Sequence, residues 1–411
     1  MAGTLPGVLW EWAEMAVRWL HVIAGIAWIG SSFYFIALDL SLKQRGGLPE
    51  GAGGEAWQVH GGGFYNMVKY LVAPARMPDE LTWFKWEAYT TWLSGMGLLV
   101  LVYYLQAELF MIDAQVMELT PLVAVAVSLG GLALGWIVYD LLCRSPLGRN
   151  DTALALVGFV FLVALSYLFT LVFSGRGMFM QMGALIGTMM VANVFMVIIP
   201  NQKKVVADLI AGRQPDPRLG MQAKQRSLHN NYLTLPVIFV MIANHYPLAF
   251  ASHWNWLILA VVLVMGAIIR HYFNTKHKTG RGPLWTWGAA ALGLAAIVWL
   301  SAQPATTLDQ ATLPEETDLA GLSQEDLGLE VENVVLSRCS MCHAAEPLWE
   351  GLRVPPKGVL LETPAQIRAQ ARKIEMQAVA THAMPPGNIT FIEEDERRIL
   401  AAWLAAGAPA W

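Results

Sequence analysis

The sequence predicts an all-α protein, a polytopic membrane helix bundle joined to a smaller helical domain, and three observations lead there. Of 411 residues, 55% are hydrophobic and only 14% charged, against roughly a quarter charged in a soluble protein. Eight apolar runs approach the ~20 residues a helix needs to cross a hydrocarbon core about 30 Å thick. The charge balance also changes sign along the chain: residues 1–304 carry 19 Lys and Arg against 15 Asp and Glu, and residues 305–411 carry 8 against 16. Neither part is basic enough to suggest nucleic acid as a partner. Seventeen Trp and 36 Gly fit a lipid bilayer around the first part, where interfacial Trp and intramembrane Gly are frequent.

The runs lie near 16–38, 88–108, 121–143, 152–174, 178–199, 233–251, 255–274 and 283–302, about eight transmembrane helices. Pro236, Asn244, His245 and Pro247 interrupt the sixth, which points to contact with protein or a cavity there. Seventeen Lys and Arg fall in the loops after the first, third, fifth and seventh runs; on the opposite side only Arg18 and Arg176 precede the C-terminal domain. Positive loops stay in the cytoplasm, so the N-terminus is expected outside, and an even number of crossings returns the C-terminus there. The first run follows Glu11 and Glu14 instead of a basic segment, so it reads as a retained span and not a cleaved leader.

Residues 303–326 hold six carboxylates and no basic residue, the composition of a solvated acidic tether. It divides the chain into a membrane domain, 1–302, and a helical domain, 327–411. The second should contain a helix over 327–338, a Pro355-Pro356 loop, a helix near 364–380, a Met-Pro-Pro turn and a final helix near 393–406. Ile399, Leu400, Trp403 and Leu404 make the apolar face of that last helix.

Within this domain Cys339-Ser340-Met341-Cys342-His343 has the attachment pattern of a c-type haem. The two thiols add to the vinyl groups, and the adjacent imidazole reaches the iron. Zinc would need further Cys or His, of which only His382 is near, and a redox C-x-x-C does not need the following His. One covalent haem c on Cys339 and Cys342, with His343 on the iron, makes 327–411 a class I cytochrome c domain. The sixth ligand should lie downstream. Met384, held in an extended turn by Pro385 and Pro386, is the candidate, with His382 as the alternative. A thioether ligand raises the reduction potential and suits an electron acceptor. Haem c is attached on the periplasmic side of the bacterial inner membrane, where the charge count independently places the C-terminus.

Polar groups inside apolar runs are functional candidates. His21 and His245 fall at similar depth near the outer leaflet, where they would ligate a haem b, contact substrate or bond across helices. His229 lies 16 residues before His245 and belongs to the other end, with Asn230, Asn231, Arg270 and His271; for each, a solvated role competes with catalysis. Asn193, in mid-run, needs a partner, most simply across helices. Cys143 reads as a buried small residue. Gly61-Gly62-Gly63 lacks the strand and helix context of a nucleotide site.

The segments Leu20–Gly30, Ala192–Lys204, Ser227–Pro236, Ala243–Pro247 and Met384–Asn388, in the order membrane domain, tether and cytochrome, resemble the bacterial membrane-bound cytochrome c urate oxidases (urate hydroxylases). The likeness covers nearly the whole chain, although the cytochrome motif alone is generic. It implies oxidation of urate to 5-hydroxyisourate in purine catabolism. Water would supply the oxygen, and electrons would leave through haem c to a soluble cytochrome c or a terminal oxidase. It also implies a membrane-domain pocket for a flat anion, which Arg beside amide and imidazole donors would suit. His229, Asn230, Asn231, Arg270 and His271 are then the expected catalytic residues, facing the cytoplasm. A haem b on His21 and His245 would carry electrons across. A quinol-oxidising haem-relay subunit and a transporter or sensor with a cytochrome reporter are the competing expectations.

Overall fold

The computed structural model describes residues 5–74, 77–303, 322–349, 352 and 354–411. Helix α1 (Leu5–Ser41) leads into an antiparallel hairpin, β1 (Ala52–His60) and β2 (Gly63–Tyr70), so the chain is mostly helical but not all-α. Gly61 and Gly62 join the strands with φ of 58° and 79°. A two-residue turn with both residues left-handed matches the twist of a hairpin, and Gly adopts it without steric penalty.

Helix α2 (Trp86–Leu98) runs on through a π turn, Leu99–Tyr104, to the one-turn α3 (Ala107–Phe110). Helix α4 (Pro121–Arg144) starts where the Thr120 hydroxyl accepts from Val123 N with Pro121 in the first position, and Asn150 caps α5 (Asp151–Thr170). These side chains satisfy amides that a helix start leaves unpaired. Helix α6 (Gly175–Ala192), a second π turn (Asn193–Ile198) and α7 (Ile199–Ile210) form one rod. Helix α8 (Pro217–Ala243), the single turn α9 (Pro247–Phe250), α10 (Asn255–Thr279) and α11 (Trp285–Ser301) complete the bundle.

Among the described residues five helices are long and apolar enough to cross a membrane: Val8–Ser41, Pro121–Arg144, Asp151–Thr170, Gly175–Ile210 and Asn255–Thr279. This is fewer than the eight expected. The 88–108 run is regular α-helix only to Leu98, α11 has 17 residues, and the first half of α8 is polar up to Asn231. The centre of the bundle is α6, whose Met178, Phe179, Met182, Leu185 and Ile186 are fully buried. Where α8 crosses α10, a Cβ on Gly266 would lie 2.5 Å from the Pro236 ring; a small residue lets the two backbones approach.

Of the tether, residues 304–321 lie outside the described residues. Helix α12 (Gln324–Arg338) begins three residues inside the expected tether, capped by the Ser323 hydroxyl, which accepts from Asp326 N; then come α13 (Ser340–His343), α14 (Pro364–Ala369), α15 (Ala371–Ile374) with a π turn to Val379, and α16 (Glu394–Ala405). They enclose a separate core of Val331, Val335, Ile367, Ile392, Leu400 and Trp403, with Ile399 and Leu404 packed beside it. This C-terminal unit sits against the bundle: Gln115 Nε2 donates to Ile392 O at 3.0 Å, and Ala383 packs on the bundle's core.

Candidate functional site

The polar residues of α8 divide between two networks at the end of the bundle that carries Arg144, Lys203 and Lys204. Positions 229 and 231 are 200° apart on an ideal helix, since each residue turns about 100°. The helix therefore sends His229 one way and Asn231 the other.

The first network centres on Asn193, which is fully buried and opens the π turn after α6. Its amide donates to the Tyr139 hydroxyl (2.9 Å) and to Asn230 Oδ1 (2.9 Å), and its oxygen accepts from Arg226 Nη1 (3.0 Å). Arg226 Nη2 reaches Asp140 Oδ1 at 2.6 Å, and the guanidinium lies 4.9 Å from the Tyr139 ring centroid. Asn230 Nδ2 closes on Met190 O at 2.9 Å. Tyr139 OH meets His229 Nδ1 at 2.8 Å. The Tyr139 oxygen also accepts from Asn193, so the hydroxyl ties His229 into the same network. A π turn frees backbone groups and often marks a functional position; here it sets Asn193 among three helices.

The second network is built on Arg270, 6% exposed. Its Nη2 donates to Asn274 Oδ1 (3.1 Å) and its Nε to Asn231 Oδ1 (3.4 Å), while Asn274 Nδ2 donates to that same Asn231 oxygen (2.9 Å). The guanidinium lies 3.9 Å from the Phe33 ring centroid. No carboxylate pairs with it among the described residues. Asn231 is fully buried, and its Nδ2 has no hydrogen-bond partner. An uncompensated buried cation beside an orphaned amide N–H is expensive unless an anion completes it. His271 lies at the exposed edge, where its Nδ1 meets Tyr232 OH at 3.3 Å.

Of the five residues expected in one pocket, His229 and Asn230 belong to the first network, Asn231 and Arg270 to the second, and His271 to neither buried centre. Tyr139, Asp140, Arg226, Asn274 and Phe33 were missed. Arg226 is one of the seventeen Lys and Arg counted in the loops, and Asp140 sits inside an apolar run, which is itself the signal that would have found it. His21 lies where α1 packs on α2, its Nδ1 at 2.9 Å from Thr91 O and 3.2 Å from Ser94 Oγ. His245 is exposed in the turn after α8.

In the C-terminal unit, Cys339 ends α12, and α13 brings Cys342 and His343 to the same side. His343 Nδ1 lies 3.0 Å from Val359 O, so that nitrogen donates and Nε2 keeps its lone pair for a metal. Met384 is tied by its N–H to Gln377 O (2.8 Å), and its carbonyl accepts from Arg397 Nη1 (3.1 Å). Burial pushes the Cys339 thiol up to about 12 and also raises Cys342. Such thiols are not the activated thiolates of disulfide exchange. Burial, with the charges of Arg397 and His253, pushes the His382 imidazole down to about 3 and keeps it neutral. Among the described residues no group of three or more His, Cys, Asp or Glu is placed to hold a bare metal ion.

The family model described as urate oxidase N-terminal matches residues 7–301. The chain belongs to the urate oxidase N-terminal family. No match was found among curated proteins or among solved structures. The family region contains both buried networks and stops short of the C-x-x-C-H unit. Family membership identifies a urate-related oxidase; the C-terminal unit is an addition whose role rests on its own residues.

Proposed function

We propose that this is a membrane-bound urate oxidase that converts urate to 5-hydroxyisourate, with urate held at the Arg270 cluster. The observation that carries the reading is the unpaired buried guanidinium beside the orphaned Asn231 amide, over the face of Phe33. A flat purine anion offers the charge, the ring-edge acceptors and the planar shape that this set lacks. His229, with its Nδ1 2.8 Å from Tyr139 OH, leaves α8 on the side opposite Asn231 and stays with the neighbouring network. The reaction consumes one water and releases two protons and two electrons for each urate.

Cys339 and Cys342 would hold a covalent haem c, with His343 and Met384 as its axial ligands. His343 fits, with its Nδ1 engaged by Val359 O, and so does Met384, with its backbone pinned on both sides. When bound, that group accepts electrons one at a time and passes them to a soluble cytochrome c or a terminal oxidase. Arg270 lies 15 residues along α10 from Asn255, about 22 Å, and Asn255 is close to His253, whose charge reaches His382. A haem b at His21 and His245 does not fit this arrangement: the His21 ring packs against Gly95 with its Nδ1 on Thr91 O and Ser94 Oγ, and His245 is exposed in the turn after α8. Pyridine haemochrome analysis should show only c-type haem, and a b-type band would overturn that.

The test is anaerobic addition of urate to oxidised, detergent-solubilised protein, following the α-band of reduced haem c. A charge-assisted hydrogen bond contributes about 1.5–3 kcal/mol, so Arg270→Gln should raise the urate needed for half-maximal reduction by about 10- to 100-fold. No reduction by urate in protein that dithionite reduces normally would overturn the reading in favour of a quinol-oxidising relay.

A further inference from the structure

The C-terminal unit meets the bundle through one turn. Gly387, with φ of 57°, lies so close to α3 that a Cβ there would be 2.5 Å from Ile112 O and 2.7 Å from Glu108 O. Ala383, on the other side of Met384, packs against the hydrophobic core of the bundle. Five residues past α3, Gln115 Nε2 donates to Ile392 O at 3.0 Å. Within the unit, Arg397 Nη1 donates to the Met384 carbonyl at 3.1 Å. Three separate contacts thus meet the bundle at the turn that carries one candidate iron ligand and at Ile392 beyond it. Cys339, Cys342 and His343 take part in none of them.

We propose that the Met384–Gly387 turn is where electrons pass from the bundle into the C-terminal unit, and that Gly387 and Gln115 are the positioning residues that hold it on α3. The proposal rests on the haem c reading given above. A haem c held there would take the two electrons of each urate singly, with a one-electron acceptor of the cytochrome class removing the first before the second arrives. A fixed contact keeps the donor distance constant for both transfers, whereas a unit swinging on its tether would have to find the bundle twice. Gly387 is required because carbonyl oxygens 2.5 and 2.7 Å from where a Cβ would stand exclude a side chain, and the left-handed backbone adds to the strain of any substitution.

Hydrogen exchange over residues 105–118 of the full-length protein, read beside stopped-flow reduction by urate, tests this. Gln115→Ala removes one hydrogen bond at the contact, which corresponds to about tenfold in its opening equilibrium. Exchange should rise by that factor and urate-driven reduction should slow, while the dithionite-reduced spectrum and the methionine–iron absorption stay unchanged. Gly387→Ala should act in the same direction and more strongly. If it also loses the methionine–iron band, it reports ligand loss, and Gln115→Ala then decides. Faster exchange with an unchanged urate rate would overturn the electron path, and unchanged exchange in both variants would overturn the seating. If urate fails to reduce even the wild-type protein, the functional reading falls and the electron path with it, whereas exchange protection lost in Gly387→Ala would still uphold the contact.

Discussion

Arg226 and Arg270 are both nearly enclosed, at 3% and 6% exposure, but their partners differ in charge. Arg226 meets a carboxylate, an amide oxygen and two aromatic rings, which is how a buried cation is retained as structure. Arg226→Met should therefore cost about 1–3 kcal/mol: Asp140 loses its inner partner but keeps Arg144 Nε at 2.6 Å, and Asn193 Oδ1 loses its donor. The readout is the unfolding temperature in detergent, and Arg226→Met/Asp140→Leu should recover part of the loss. Equal unfolding of the single and double variants would sink that account. Arg270→Met should do the reverse: removing an uncompensated cation leaves stability equal or higher while the response to urate is lost, the usual cost of keeping a binding group in place. At Met384 the exchange of a thioether for an imidazole in Met384→His should lower the haem potential by on the order of 0.1 V, within the ~0.8 V that axial ligands span. A redox titration that finds no change would move the ligand to His382.

Between elements, legibility depended on whether a signal was local. Caps at Thr120 and Asn150, apolar runs and the C-x-x-C-H spacing are written in neighbouring residues, and the helices follow them closely. The hairpin has a partial local signal, Gly61-Gly62 followed by the aromatic-rich Phe64–Tyr70, but the first strand, with Gly53, Gly54 and only Trp57 and Val59 as strand formers, carries little of its own. The division of His229 from Asn231 was a matter of helical phase and could have been read. Which helices supply Tyr139, Asn274 and Phe33 is a tertiary fact with no local trace. The loop after α3 carries a further consequence of tertiary placement. Burial pushes the Asp113 carboxyl up from its usual 3.8, and the Gln115 N–H that donates to it and, less so, the Arg397 charge only partly offset this. A raised folded-state pKa favours the protonated form, so the contribution is fully present below the unfolded value and is lost as pH rises through the folded one. Asp113→Asn should therefore unfold at a higher temperature than wild type at neutral pH, and the gap should close as pH falls toward 4. A gap that widens on acidification would show Asp113 acting as an ion-pair partner instead.

For the whole molecule, sidedness can be argued from two independent features. The loop that receives the C-terminal unit, residues 105–120, contains Glu108, Asp113 and Glu118 and no Lys or Arg, whereas the opposite end holds Arg144, Arg149, Lys203 and Lys204. Retention of positive charge predicts that this loop, on which the Met384–Gly387 turn rests, lies outside. The haem attachment proposed for Cys339 and Cys342 would need the same side. An inverted chain would satisfy the contact and fail both the charge count and the attachment. The arrangement can be read with cysteines placed at exposed positions after replacement of Cys143: Val116→Cys in the loop and Lys204→Cys in α7, both exposed in the structure. A membrane-impermeant maleimide added to cells with a permeabilised outer membrane should label the Val116→Cys protein at once and the Lys204→Cys protein only after lysis. The opposite pattern would place the contact loop in the cytoplasm, and no electron path from the bundle to an externally assembled haem c could then run through it.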